Sequence, residues 1–282
     1  MLMLVLEVKF LENIGDKMNI LSIIVFIIIM GIIIFVHELG HLLTAKMFNV
    51  YCAEFSVGMG PIVKTLYVDK DQTKYNLRLI PIGGFVMIAD EMNEVELNVE
   101  KDKKLNNKPF YQQFIVLFAG TFMNMLLTYL ILLFLGFNNF LKPEYGFVTT
   151  TNFFQEFIVA FQNLMNLTIL FINEIGKLLT FNLDINNLSG IVGIASMTND
   201  VLQTSWMNLI YFTGILSLNI GLMNQLPIPM LDGGRIILAL YERIFRKKIT
   251  KKIENILMNI SLLIIGGLFL ITTWNDIIKI FQ

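Results

Sequence analysis

Four long stretches without a charged residue constrain this chain more than any other feature of its sequence. They are Ile20 to Val36, Phe114 to Phe137, Val201 to Leu231 and Asn255 to Asn275. A hydrocarbon core about 30 Å thick is crossed by roughly 20 helical residues, so these stretches are long enough to span it. Only 15% of the 282 residues are charged, against roughly 25% in soluble domains. The sequence therefore predicts an α-helical polytopic membrane protein, with about four transmembrane helices in contact with the lipid bilayer.

The predicted spans are residues 20–45, 114–137, 205–231 and 255–275, inside a membrane domain of residues 19–282. The third uncharged stretch is longer than one span and contains Pro227 and Pro229. Proline removes a backbone donor that lipid cannot replace, so we expect this helix to break near its end and to line a polar cavity. Residues 1–18 are interpreted as an N-terminal extension. Met18 resembles a natural start, which the intact mass of the purified protein would test.

Basic residues predict the orientation of the chain, because Lys and Arg accumulate in cytoplasmic loops. Sixteen of the twenty-one fall in residues 46–113 and 235–252. Four spans place both segments on the cytoplasmic side, with the two termini outside. The formal net charge of −1 provides no basic field for nucleic acid, so we expect no nucleic-acid partner.

The apolar segment 154–181 contains polar side chains at spacings of 7, 4, 7 and 4, which place them on one helical face. They are Gln155, Gln162, Asn166, Asn173 and Lys177. We interpret the segment as an amphipathic helix in the outer membrane interface. The alternative is a fifth span, which would have to accommodate Glu156, Glu174 and Lys177. A fifth span would also place the candidate metal ligands described below on opposite sides of the membrane.

The predicted cytoplasmic loop, residues 46–113, has a glycine-rich half with β propensity and a charged half at residues 90–108. The charged half is typical of a solvated linker. The run Tyr75 to Met87, with prolines and glycines at its centre, predicts a membrane-associated β-hairpin or a bent strand. Cys52 is the only cysteine, which excludes an intramolecular disulfide and a cysteine-rich metal cluster. We interpret it as a small buried hydrophobic residue.

A His-Glu-x-x-His motif continues the first apolar helix. Residues four positions apart share a helix face, so His37 and His41 are placed to bind one Zn²⁺. Glu38 then lies beside the open coordination position as a proton acceptor. The alternative is two histidines satisfied inside a helix bundle. The chain has no other histidine, and this spacing with its glutamate arises by chance in only about 3 of 10,000 shuffled sequences.

A third protein ligand is required, because a catalytic zinc site keeps its fourth position for water. Asp232 directly follows the third uncharged stretch, and the predicted orientation puts it on the same membrane side as His41. We therefore predict that Asp232 completes a set of two imidazoles and one carboxylate. The alternative is that Asp232 caps the helix that follows it.

Three segments of the chain carry a resemblance to a known family. Residues 36–41 read VHELGH, residues 120–124 read GTFMN and residues 224–234 read NQLPIPMLDGG. They resemble the signatures of the site-2 family of intramembrane zinc metalloproteases. Residues 55–61, 81–86 and 188–190 resemble further blocks of the bacterial regulated-proteolysis branch. The resemblance covers essentially residues 18–282.

This resemblance implies a zinc endopeptidase with the three ligands predicted above and Glu38 as general base. It places Asn219 and Asn224 beside the substrate backbone or the tetrahedral intermediate, while an asparagine in a membrane helix equally serves as an interhelical contact. It implies that the segment around Gly83 and Gly84 holds an unwound substrate strand. The implied substrates are single-span membrane proteins, such as anti-sigma factors, or signal-peptide remnants. The implied location is the bacterial cytoplasmic membrane, with the active site toward the cytoplasm.

The chain departs from the family pattern at two levels. Thr121 and Ile191 stand where proline is usual. The larger branch also carries PDZ domains before residues 188–190, and here residues 138–153 are too few to form one. We therefore predict a member without PDZ domains, in which the interfacial helix or partner proteins control access.

Two other functions compete with this prediction. A multispanning zincin of the CAAX-processing type takes a glutamate from a later helix as its third ligand, and no glutamate after His41 lies inside a predicted span. A metal-binding membrane scaffold or transporter has no need of Glu38 beside an open metal position. Zinc binding without cleavage of any membrane peptide would favour the scaffold or the transporter.

Overall fold

The computed structural model describes residues 19–89, 99–143, 146–180 and 189–281. Within them the chain forms helices and one two-stranded sheet. The elements are α1 (Ile20–Met47), β1 (Cys52–Val68), β2 (Lys74–Ile88), α2 (Phe110–Phe137), α3 (Phe153–Leu179), α4 (Ile191–Thr204), α5 (Trp206–Met223), α6 (Asp232–Phe245) and α7 (Lys251–Phe281). Two short 3₁₀ turns, Lys101–Lys103 and Leu105–Asn107, precede α2. The predicted N-terminal extension, most of the linker's first half and Leu188 lie outside the described residues.

Five of the described helices are long and apolar enough to cross a membrane, namely α1, α2, α3, α5 and α7. The prediction of a mostly helical, polytopic membrane protein is thereby confirmed. Helix α3 is the segment predicted to be amphipathic, and its five predicted polar side chains are all exposed. Val159, Ala160 and Leu164 of the same helix are buried. By length and composition alone, α3 meets the same criterion as the other four helices.

The described chain divides into two compact units. One contains residues 29–128 and 216–262, and all the predicted site residues belong to it. The other contains the described parts of residues 1–28, 129–215 and 263–282.

Helix α1 carries the His-Glu-x-x-His motif and has a defined cap at each end. Asn19 Oδ1 accepts the backbone N–H of Ser22 at 2.7 Å, which satisfies a free donor at the start of the helix. At the other end Asn49 takes a left-handed φ of 53°, and the Val50 N–H donates to the Ala45 carbonyl at 2.8 Å. The motif therefore lies inside one uninterrupted helix.

The strands β1 and β2 form an antiparallel hairpin whose turn lies at residues 69–73. Asp69 Oδ1 closes this turn by accepting the backbone N–H groups of Asp71 at 2.9 Å and Thr73 at 3.0 Å. Of the two predictions for residues 75–87, the bent strand is correct, because Lys74–Ile88 is one strand with Gly83 at φ 88° in its bend. Residues 54–57 pair with residues 74–77 in ascending order and with residues 84–87 in descending order, so the two arms of β2 run in opposite directions beside β1. In the described register the two arms pair with β1 and not with each other, so the bend does not form a separate β-hairpin.

Helix α5 ends at Met223, four residues before Pro227. Backbone hydrogen bonds then form successive turns, including Leu226 N–H to Met223 O at 3.1 Å and Leu231 N–H to Ile228 O at 2.8 Å. The predicted break near the prolines is present. The helix itself is shorter than the predicted span of residues 205–231.

An apolar cluster packs α1, the hairpin and α2 together. Its buried members are Leu42, Ala45, Val50, Cys52, Phe55, Ile88, Leu105, Val116 and Leu117. Cys52 is a free thiol and only 2% exposed, as predicted for a small buried hydrophobic residue. The backbones of α1 and α2 touch at Gly40, where a Cβ atom would lie 2.4 Å from the Ala119 carbonyl oxygen. Small residues at helix contacts permit this approach in membranes.

Candidate metal and catalytic site

The three predicted metal ligands converge on one point. Asp232 Oδ2 lies 3.1 Å from His37 Nε2 and 3.2 Å from His41 Nε2. The two Nε2 atoms are 3.2 Å apart. In a tetrahedral zinc site with ligand distances of about 2.0–2.1 Å, donor atoms lie about 3.3 Å from one another. The size of this triangle and its two imidazoles and one carboxylate therefore fit a zinc ion.

The alternative role for Asp232, capping the next helix, does not match its position. Leu231 occupies the N-cap of α6, and Asp232 is the first residue of the helix. Its carboxylate faces the two imidazoles instead. The break between α5 and α6 thus delivers a carboxylate to the histidines on α1.

The His41 ring is oriented by the backbone of α2. Its Nδ1 lies 2.7 Å from the Val116 carbonyl oxygen. A carbonyl only accepts hydrogen bonds, so Nδ1 carries the proton and Nε2 keeps a free electron pair for a metal. Such a hydrogen bond behind a ligating imidazole fixes both its tautomer and its orientation.

Gly120 on α2 packs directly against both imidazoles. A Cβ atom at this position would lie 2.4 Å from His41 Nε2 and 2.5 Å from His37 Nε2. Ordinary van der Waals contact needs 3.4 Å or more, so this position has no room for a side chain. The motif at residues 120–124 contains this glycine, but the sequence assigned it no role.

The carboxylate of Glu38 is held by the hairpin. Its Oε2 accepts the backbone N–H of Val86, on β2, at 3.0 Å. Glu38 and the three candidate ligands line one cavity of about 220 Å³. The other side chains that line the cavity are largely apolar and include Phe85, Ile88, Leu117 and Met230. Asn224 and Arg235 are its remaining polar side chains.

The predicted substrate-binding residues divide into two groups. Asn224 lines the cavity, with its Nδ2 atom 3.5 Å from His37 Nε2. Asn219 is half-buried on α5 and is not among the described residues that line the cavity. Gly84 approaches the site, since a Cβ atom there would lie 3.9 Å from Glu38 Cγ. Gly83 supplies the bend next to it.

Two contacts at the site are made by backbone groups and were missed from the sequence. They are the Val86 N–H on Glu38 and the Val116 carbonyl on His41. A backbone group is present at every residue, so no side-chain pattern could have identified these two positions.

An ion pair within the hairpin fixes one wall of the cavity. Glu54 Oε1 accepts hydrogen bonds from Arg78 Nε at 3.0 Å and Nη2 at 2.6 Å. The same guanidinium lies over the Phe85 ring, 4.9 Å from its centroid. Although burial raises the pKa of Glu54, hydrogen bonds from Asn76, Ser56 and Arg78 hold it below its usual value. The charged pair thus positions an aromatic wall of the site.

Known proteins similar to this chain give the site a context. The model of peptidase family M50 matches residues 25–268. A protein of Fusobacterium nucleatum that is named among the zinc metalloproteases is 31% identical, over 93% of this chain and 100% of its own length. The regulator of sigma-W protease RasP of Bacillus subtilis is 25% identical, over 92% of this chain and 99% of its own length. The zinc metalloprotease RasP of Bacillus licheniformis is also 25% identical, with the same coverage.

The alignment with the B. subtilis protease extends over 419 residues, more than the 282 of this chain. That relative therefore contains stretches that this chain lacks. The family model covers most of the chain, including every predicted ligand. The chain belongs to peptidase family M50, the site-2 proteases, and is an intramembrane zinc metalloprotease.

Proposed function

We propose that this protease hydrolyses peptide bonds in or near the transmembrane segment of single-span membrane proteins. His37, His41 and Asp232 are the zinc ligands in this proposal, and Glu38 is the general base. The observation that carries it is the convergence of the three donor atoms, within 4.8 Å of one another, in a cavity that Glu38 also lines.

The chemistry follows from the arrangement of these side chains. Zinc, when bound, acts as a Lewis acid toward the substrate carbonyl and makes water acidic enough to lose a proton near neutral pH. Glu38 accepts that proton and delivers it to the leaving amine. The Val86 N–H holds one carboxylate oxygen at 3.0 Å, so the other oxygen is available for the proton. The Asn224 amide, beside His37, is placed to donate to the oxygen of the tetrahedral intermediate.

The hairpin is the proposed substrate-binding element. A transmembrane helix has to open before a peptide bond inside it is attacked, and the freed backbone groups then need new partners. Addition of the opened segment to an exposed strand edge provides them. The bend at Gly83 and Gly84 brings β2 against Glu38, which supports binding of the substrate strand there. We retain Asn219, on α5 and five residues before Asn224, as a second contact to the substrate backbone.

The proposed location is the bacterial cytoplasmic membrane, with four spans, the site toward the cytoplasm and both termini outside. The convergence of Asp232 with His41 supports this topology. When α2 and α5 are the two helices that cross the membrane between His41 and Asp232, these two residues lie on the same side of the membrane. If α3 crossed as well, an odd number of crossings would separate them. We therefore propose that α3 lies in the outer interface.

The proposed substrates are anti-sigma factors or signal-peptide remnants. Support comes from the B. subtilis relative, whose name makes it a regulator of sigma-W. Control of access without PDZ domains is assigned to α3 or to partner proteins.

The test compares cleavage of a panel of single-span model substrates by the parent protein and by Glu38→Gln, after zinc content is measured in both. Cleavage by the parent alone, with zinc in both, is the expected result. Glu174→Gln is the matched control, because this glutamate is exposed on α3, where it pairs with Lys177. If both proteins cleave equally, Glu38 is not the base. If zinc binds and nothing is cleaved, the scaffold or transporter function replaces the protease.

A further inference from the structure

The turn between α5 and α6 is tightly folded on itself. The Gly233 N–H donates to the Asn224 carbonyl at 2.8 Å. A Cβ atom at Gly233 would lie 2.1 Å from the Gln225 carbonyl oxygen, so these two backbones are in direct contact. Gly233 follows Asp232 in the chain. Any displacement of Gln225 is therefore transmitted to Asp232.

The side chain of Gln225 ties this turn to α2. Its Nε2 donates to Thr121 Oγ1 at 2.8 Å, and the Thr121 hydroxyl donates in turn to the Gly221 carbonyl at 2.8 Å. Thr121 is completely buried. The Thr121 hydroxyl thus bonds both to α5, at Gly221, and to the turn that follows α5, at Gln225. Proline, which the family pattern has at position 121, carries no hydroxyl for either bond.

The same part of α2 also contacts both histidines. The Val116 carbonyl accepts a hydrogen bond from His41 Nδ1, and Gly120 packs against both imidazoles. Thr121 follows Gly120 directly. Helix α2 is therefore in contact with the two imidazoles on one side and with the turn that carries the carboxylate on the other. The candidate donor atoms of His37, His41 and Asp232 lie only 3.1–3.2 Å apart. This spacing requires that α2 holds the imidazoles and the turn at a fixed distance from each other.

We propose that the Thr121–Gln225 hydrogen bond is a positioning contact that sets Asp232 against His37 and His41. Neither residue is a ligand, and both act through Asp232. This inference rests on the proposed function, in which these three residues bind zinc. Hydrogen-bond partners outside the ligand set typically change metal affinity by about 10–100-fold when removed.

The experiment measures zinc affinity of the full-length purified protein by competition with a chromophoric chelator. Thr121→Val and Gln225→Leu each remove one side of the bond without changing side-chain size greatly. We expect each to weaken zinc binding about 10-fold, and the double variant to be no weaker than either single one. Thr121→Ser keeps the hydroxyl and is expected to retain the parental affinity.

The control is Thr128→Val, on the same helix. Thr128 is also completely buried, and its hydroxyl donates to the Asn124 carbonyl at 2.9 Å within α2. We expect this variant to lose thermal stability in the zinc-free state but to keep its zinc affinity. If Thr121→Val matches Thr128→Val in both measurements, the contact is merely structural and the inference is overturned.

Asp232→Asn separates this inference from the proposed function. If Asp232→Asn binds zinc as tightly as the parent, Asp232 is not a ligand and the proposed function fails. If Asp232→Asn loses zinc while Thr121→Val and Gln225→Leu keep the parental affinity, only the positioning role fails.

Discussion

Replacement of Gly120 by alanine tests the site through a single methyl group. The added Cβ atom would lie 2.4 Å from His41 Nε2, and 2.5 Å and 2.6 Å from Nε2 and Cε1 of His37. Restoring ordinary contact at 3.4 Å or more requires a displacement of about 1 Å. Zinc ligand distances tolerate deviations of only about 0.2 Å. The imidazoles therefore cannot keep their metal-binding positions unless α2 retreats.

Retreat of α2 would give up its close packing with α1. At Gly40 the backbone of α1 lies against the Ala119 carbonyl, and these van der Waals contacts are lost if the two helices separate. Moving α2 outward would also withdraw the Val116 carbonyl from His41 Nδ1. We therefore expect Gly120→Ala to weaken zinc binding by at least about 100-fold, equivalent to about 2.8 kcal/mol.

The assay is zinc affinity by chelator competition, followed by cleavage of a single-span substrate. Gly266→Ala is the matched control, because a Cβ atom at this α7 position meets nothing within 4 Å. We expect the control to bind zinc and cleave as the parent does, with a gain in helix stability of roughly 0.5–1 kcal/mol. Parental zinc affinity and cleavage in Gly120→Ala would refute the assignment of the zinc site to these imidazoles.

Two further predictions concern the hairpin and its surroundings. Burial raises the pKa of the Cys52 thiol to about 12, so we expect no maleimide labelling of the native protein at neutral pH and complete labelling after denaturation; labelling of both would contradict the burial. The pKa of Glu54 is lowered in the folded protein, so its carboxylate stabilises the fold at pH values above the usual glutamate pKa of about 4.3. This contribution is lost as the pH falls through the lowered pKa. We therefore expect Glu54→Gln to lower stability at neutral pH and to reduce the further loss on acidification, measured by thermal unfolding across pH; an unchanged pH dependence would exclude this role.

The helices were predicted from runs of apolar residues, and their ends were predicted only approximately. Helix α1 continues through His37 and Glu38 as predicted but ends at Met47, two residues beyond the predicted end, and α2 begins at Phe110, four residues before the predicted start at Phe114. Hydropathy detects the part of a helix that contacts lipid, whereas backbone hydrogen bonds continue into the polar ends. The reverse occurs in α5, where uncharged residues continue beyond the end of the helix at Met223. Hydropathy alone cannot separate a helix from an apolar turn.

The turn between β1 and β2, at residues 69–73, was not predicted, for a local reason. Proline and glycine at residues 81–84 are typical turn residues, and they attracted the prediction. The actual turn depends on the Asp69 side chain, which accepts two backbone N–H groups in the manner of an Asx turn. Aspartate has this capacity wherever it occurs. Only the pairing of β1 with β2 decides which of the two signals forms the turn.

The site was predictable where its chemistry depends on side chains and not where it depends on backbone. His37, His41 and Asp232 were identified by residue type, spacing and membrane side, and the structure brings them together. Their supports on α2 carry no such signal. Val116 contributes a carbonyl and Gly120 contributes the absence of a side chain.

Helix α2 consequently constrains the site by shape more than by charge. Val116 and Gly120 are four residues apart, so they lie on the same helix face, and this face meets the histidines. A hydrophobic substitution at Val116 leaves its carbonyl in place, whereas any side chain at Gly120 displaces an imidazole. Position 120 should therefore reject even alanine, while position 116 should accept other residues of similar volume. Such a difference between neighbouring turns of one apolar helix follows from the distances at the imidazoles, and membrane insertion alone would not produce it.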